Sequence, residues 1–230
     1  MFLRKKKPSR ITQAASLKAA RSRGLPVACV IDVGVRRATG SLIEAFPDKP
    51  HLLFEPVRDF HPDIRRNYAH IEHEIFELAV SDADGEGFLH KSGHGGGGVT
   101  HAWISKAGDP VRLGRLDTVI RGAKRSGPFL MKIDVDGADA PAKIIEGAPA
   151  VLAETSCVVC EFVAARFMDL AARIARHGFI LWDIVEPSYY DDVFYQCDAV
   201  FLRKDVIEAK SGLRPFSMAS FDPSKWKSIS

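Results

Sequence analysis

Seven short apolar runs, most of them separated by helix-like segments, leave this chain very few ways to fold. They read VACVIDV, HLLFEP, EIFELAVSD, PFLMKIDVDG, SCVVCEFV, FILWDIVEP and CDAVFLRK. The first shows no polar alternation, the pattern of a strand buried on both faces. After it, Leu42, Ala45 and Phe46 recur at helical spacing, and a polar helix follows HLLFEP over residues 63–68. Asp139 and Pro141 open a further helix, running through Ile144, Ile145 and Leu152, with proline in the first turn. Phe167, Leu170, Ala171 and Ile174 keep i, i+3, i+4, i+7 spacing, and His177-Gly178 supplies a stop. No helix falls between the last two runs. Five βα steps and a closing hairpin predict an α/β chain: a Rossmann-like, doubly wound, seven-stranded, mainly parallel sheet with an antiparallel last strand.

The 230 residues suit one such domain, over 26–205, with a basic N-terminal arm over 1–25 that includes a short helix at 12–21, and a tail over 206–230. From 85 to 115 the rhythm breaks. The stretch DGEGFLHKSGHGGGGVTHAWIS is expected to form a hairpin or flap around a glycine loop. GHGGGG is not a phosphate-binding Walker loop, because no Lys-Ser/Thr follows it.

Residues 1–25 carry eight of the 32 Lys/Arg and no acid. FLRKKKPSR therefore reads as an arm outside the fold, suited to an anionic membrane surface, to nucleic acid, or to plain solvation. No run approaches the ~18 apolar residues of a membrane span, and no apolar core of a secretory signal follows Lys7. The expected location is the cytoplasm, with peripheral membrane contact through the arm. Cys157 and Cys160 lie three apart on a strand, so their sulfurs should diverge to opposite faces, as buried structural cysteines.

In doubly wound sheets, ligands sit outside the carboxyl ends of the strands, where strand order reverses. The residues at those ends are Asp32 to Gly34, Glu55, Ser81-Asp82, Asp134 to Gly137, and Glu161. Glu55 lies 21 residues beyond Gly34, the spacing at which an acid on the second strand accepts both hydroxyls of a ribose. The glycine turn VIDVGVRRATG is poor for a dinucleotide. Ala38 stands where a second glycine is wanted, and Arg36-Arg37 crowd the approach of a pyrophosphate. S-adenosylmethionine (SAM) carries adenosine without phosphate and tolerates a looser turn.

Five motifs in order, VIDVGVRRATG, LLFEPV, LAVSDADGEG, LGRLDTVI and LMKIDVDGADA, resemble the FkbM-type SAM-dependent methyltransferases over about residues 27 to 163. The resemblance implies a class I methyltransferase acting on hydroxyls of sugars, glycans or secondary metabolites. It places Asp32 and Gly34 along the methionine part of SAM, with Thr39 of the same motif. It puts Glu55 on the ribose beside Pro56, and Ser81-Asp82 near adenine. The chain departs from the family pattern at Ala38 and Arg36, and has aspartates at 136 and 139 where glutamates are usual.

Methyl transfer from a sulfonium is an in-line displacement, and a hydroxyl acceptor must also lose its proton. Asp134 is the first candidate for the reaction centre, with Asp136 and Glu161 in the same cleft and His101 arriving from the flap. Asp134 and Glu161 are also candidate Mg²⁺ ligands, by analogy with catechol-type O-methyltransferases. Nucleic-acid base methylation is disfavoured: the nearest aromatic loop, EPSYY, follows the sixth strand and lacks the amide such enzymes carry. Two other classes stay open. One is a non-catalytic binding module on a decayed methyltransferase fold, and the other an NAD-dependent oxidoreductase.

Overall fold

The computed structural model describes residues 12–93, 98–214 and 222–226. FLRKKKPSR and most of GHGGGG lie outside the described residues. Strands β1 (Cys29–Val33), β2 (His51–Phe54), β3 (His73–Phe76), β8 (Phe129–Ile133), β9 (Thr155–Val163), β10 (Phe179–Tyr190) and β11 (Val193–Arg203) form one sheet. Its order is β10-β11-β9-β8-β1-β2-β3. All neighbours are parallel except β11, which runs against both β9 and β10. The chain thus has the expected α/β architecture, and strand order reverses between β1 and β8.

Alternate side chains feed the two faces, as the strand period requires. Ile31, Met131, Val158 and Cys160 face one core, covered by helices α4 (Leu116–Gly122), α5 (Ala140–Glu146), α6 (Pro149–Ala153) and α7 (Phe167–Arg176). Val30, Leu130, Cys157 and Val159 face the other, covered by α1 (Gln13–Ser22), α2 (Gly40–Ala45) and α8 (Lys204–Ala209). A third cluster joins Leu53 to Phe60, Ile64 and Tyr68 around α3 (His61–Asn67). Cys157 and Cys160 do point to opposite faces, and all four cysteines are free and buried.

The expected hairpin is present: β5 (Gly85–Ser92) and β6 (His101–Ser105) pair antiparallel on either side of the glycine stretch, and with β7 (Asp109–Gly114) and β4 (Ala79–Val80) they make a second sheet, ordered β4-β7-β5-β6. Three local expectations change. The run EIFELAVSD divides: after β3, a tight turn at Glu77-Leu78 lifts the chain out of the main sheet, and β4 pairs with β7 instead. The helix expected through Leu152 breaks into α5 and α6, because Pro149 supplies no N–H to continue the ladder. Finally, the described part of the 1–25 segment is no appendage. Helix α1, capped by the Thr12 hydroxyl, buries Leu17 and Ala20 in the core. Past 205, Ile207 and Leu213 are buried as well. Among the described residues no helix is long and apolar enough to cross a membrane.

Candidate active site at the β1–β8 switch point

A cavity of about 900 Å³ opens at the carboxyl ends of β1, β2, β8 and β9, and β6 of the second sheet walls its far side. It is where a doubly wound sheet holds its ligand.

The floor is the turn after β1. Gly34 adopts φ +88°, and a Cβ there would lie 1.8 Å from the Asp134 carbonyl oxygen. Val33 accepts a hydrogen bond from the Asp134 amide at 3.0 Å, so the two strand ends are laced together at this point. Only glycine meets both demands. Arg36 also has positive φ, +55°. Arg36 also lines the cavity, and both arginines are held from the side. Their guanidinium groups lie over the Phe60 ring at 6.0 and 5.2 Å, and Arg37 pairs with Asp63.

Glu55 closes the second strand and is only 5% exposed, which rules out a solvent-facing acid. Its Oε2 accepts the Arg36 amide at 2.7 Å and its Oε1 the Val57 amide at 2.8 Å. Burial pushes its carboxyl up to about 7, against the two amide donors that favour the ionised form. Each oxygen keeps a further lone pair for a ligand hydroxyl. Pro56 follows it on the cavity wall.

Asp32 is fully buried, one residue inside the strand, and does not line the cavity. The Tyr68 hydroxyl donates to its Oδ2 at 3.2 Å and accepts the Thr39 amide at 3.1 Å. Its Oδ1 has no hydrogen-bond partner. Burial raises the Asp32 carboxyl, opposed chiefly by the Lys132 ammonium. Asp32 therefore supports the turn from beneath, and Thr39, which does line the cavity, stands just before the first residue of α2 above it.

The other half of the cavity is acidic. Asp134, Asp136 and Glu161 line it together, joined by Asp198 and Glu186 from the hairpin, which the sequence did not single out. Lys132, nearly buried, reaches Asp134 Oδ2 at 2.5 Å. Burial works against the Lys132 ammonium, but Asp134 and Asp32 overcome it and hold its pKa above the ordinary value. Asp136 Oδ2 accepts the Ala102 amide at 2.9 Å, tying β6 to the loop after β8. Glu161 is pushed up to about 7, first by burial and then by Asp134 and Asp198. Its Oε1 accepts from the Gln196 amide group at 2.7 Å. Asp198 rises to about 6, mainly through burial.

Gln13 was also missed. Its backbone N–H donates to Glu186 and its side-chain amide to Asp198, so α1 contributes to the wall. A helix placed in an expected arm gave no signal of that role.

His101 lines the cavity from the start of β6, exposed, with Nδ1 3.1 Å from the Thr100 hydroxyl. Ser81 and Asp82 do not line it. They turn toward each other at 2.9 Å and pack against Gly147, while Leu78 to Val80 take the cavity wall. The displacement follows from the split third strand.

The expected Mg²⁺ site is not supported. Among the described residues no group of three or more His, Cys, Asp or Glu is arranged to hold a metal ion. Asp134 instead has the Lys132 ammonium on it, a cation already in place.

No family model matches the chain, and no curated protein does either. Several solved structures are similar to it over most of its length. An rRNA methylase from Streptococcus thermophilus is 6% identical over 88% of this chain and 99% of its own, at TM-score 0.49. The fibrillarin pre-rRNA processing protein of Methanococcus jannaschii is 10% identical over 86% and 77%, at TM-score 0.49. Magnesium protoporphyrin IX methyltransferase from Synechocystis, with bound SAM, is 9% identical over 83% and 78%, at TM-score 0.46.

Proposed function

We propose that the chain is a SAM-dependent O-methyltransferase acting on a hydroxyl of a sugar, glycan or related metabolite. The observation that carries this reading is Glu55: a buried carboxylate at the end of β2, fixed by two backbone amides beside the Gly34 turn. That is the position from which an acid meets a ribose diol. The five sequence motifs in order support the same reading. A dinucleotide is less well served, since α2 has only six residues and the Thr39 amide at its start is already taken by Tyr68.

The donor would lie along Gly34, Thr39 and Glu55, with its sulfonium supplying an electrophilic methyl group. The chain's own residues then have separable tasks. Asp134 is neutralised by Lys132 and suits positioning. Asp136 is tied to β6. Glu161, raised to about 7 and open to the cavity, is suited to take the acceptor's proton near neutral pH.

Calorimetry with SAM and S-adenosylhomocysteine (SAH) tests the cofactor, and transfer of labelled methyl from SAM onto a cell glycan extract tests the acceptor class. Absence of binding by both SAM and SAH would sink the proposal. Binding with transfer only to non-hydroxyl acceptors would remove the O-methyl part.

A further inference from the structure

The β10–β11 hairpin breaks its own ladder twice where it passes the cavity. Val185 pairs with Asp198 and the next pair is Ser188 with Gln196, so residues 186–187 oppose Cys197 alone. Immediately beyond, Ser188–Gln196 is followed by Tyr189–Phe194, which leaves Tyr195 without a partner on β10. One extra residue therefore enters each strand. Of these irregular positions, Glu186 and Tyr195 line the cavity. Glu186 holds a left-handed backbone, φ +53°, which non-glycine residues adopt at a cost. Bulges of this kind re-aim side chains beside active sites.

The hairpin also outruns the sheet. Pairing between β11 and β9 ends at Gln196–Val163, so Tyr195 stands beyond the last rung. It is 53% exposed, although a large aromatic ring ordinarily gains by burial. Next to it along the wall lie Gln196, Asp198 and Glu161, a row of hydrogen-bonding groups. A ring with one apolar C–H face and a rim of hydroxyls matches this pairing: the face against Tyr195, the rim on the carboxylates and amide. A flat phenolic ring would also stack, but brings fewer hydroxyls to the lone pairs that Glu161, Asp198 and Glu186 keep beyond their bonds to Gln196 and Gln13.

We infer that the double bulge builds the acceptor subsite, in which Tyr195 is the stacking platform for a pyranose ring and Glu186 a hydroxyl acceptor beside it. This rests on the methyltransferase reading above. Saturation-transfer NMR on the SAH-loaded full chain tests it, with methyl glycosides of glucose, galactose, mannose and N-acetylglucosamine as probes and caffeate as the planar phenolic comparator. At least one glycoside should receive saturation on its ring C–H protons. Tyr195→Ala should weaken its binding by on the order of ten-fold, the scale of one aromatic contact. Tyr195→Phe should retain it, and Glu186→Gln should weaken it less than Tyr195→Ala. SAH affinity, measured by calorimetry, should be unchanged in all three. Saturation of caffeate with none of the glycosides, no glycoside binding at all, or equal glycoside binding by Tyr195→Ala would each overturn the inference. Loss of SAH binding by the unaltered chain is a different result, and would overturn the methyltransferase reading itself.

Discussion

Glu161 and Asp198 stand directly opposite one another across the antiparallel β9–β11 pair, two carboxylates in one register. Like charges so placed are destabilising, and they sit at the cavity rather than on open surface. Both carboxyls are raised, to about 7 and about 6. An acid whose pKa is higher in the folded state binds more protons folded than unfolded. Stability is then greatest below the unfolded values near 4 and falls as pH rises toward 7. Thermal melts of the ligand-free protein should accordingly show a higher Tm at pH 5.5 than at pH 7.5. Asp198→Asn keeps an oxygen for Gln13 and removes one charge, so it should flatten that dependence. An unchanged slope would mean that Asp198 is not raised in the folded chain.

Glu55 is expected to matter for both binding and folding. In Glu55→Gln the side chain can present its oxygen to one of the Arg36 and Val57 amides but must turn its NH₂ toward the other. Hydrogen bonds to a charged group contribute about 1.5–3 kcal/mol each. SAH affinity should fall by roughly ten- to a hundred-fold, with a measurable drop in Tm. Unchanged calorimetric affinity would remove Glu55 from the ribose.

Gly34 was legible in the sequence, but for an incomplete reason. Its spacing from Glu55 marked a ligand turn, whereas the structure shows that the Asp134 carbonyl also forbids a side chain there. Gly34→Ala should therefore destabilise the fold itself by several kcal/mol, as strain at a positive-φ, close-packed site does. Ala38→Gly, at an exposed position, should change stability by less than about 1 kcal/mol. Chemical denaturation of both variants measures the contrast. Near-native stability of Gly34→Ala would mean that strands β1 and β8 are not held as closely as described.

The sheet, its order-reversing point and the carboxylates at its strand ends follow from apolar runs and local spacing, which one sequence displays. What could not be read depends on distant pairing. Leu78 to Val80 replace Ser81-Asp82 at the cavity because β7, more than thirty residues on, captures Ala79 and Val80. Gln13 enters the wall through bonds to Glu186 and Asp198, over 170 residues away. The Lys132–Asp134 pair was within reach, since residues two apart on a strand share a face. The chemistry of that pair, a buried cation on the expected metal ligand, required knowing the burial.

Tyr68 gives a sharper test of the support beneath the turn. Its hydroxyl is the partner of both the buried Asp32 carboxylate and the Thr39 amide. Tyr68→Phe keeps the ring and leaves two buried polar groups unmatched, at about 1–3 kcal/mol each before relaxation. Denaturation midpoints should drop accordingly. A silent substitution would imply that water replaces the hydroxyl.

The pH dependence of methyl transfer separates the acidic candidates. If Glu161 takes the acceptor's proton, the rate rises with pH through an apparent pKa near 7, because only the ionised form accepts. Asp198→Asn removes a neighbouring negative charge, so ionisation becomes easier and the limb moves to lower pH. Lys132→Met removes the positive charge that favours ionisation, and the limb moves to higher pH. Glu161→Gln abolishes the limb and lowers the rate by about 10²–10⁴-fold, with SAH affinity retained. Opposite displacements in the first two variants identify the titrating group by its neighbours. A shift in the same direction, or a full limb in Glu161→Gln, would assign the proton transfer to another residue, with His101 next in line because it lines the same cavity without touching either Asp198 or Lys132 in any hydrogen bond.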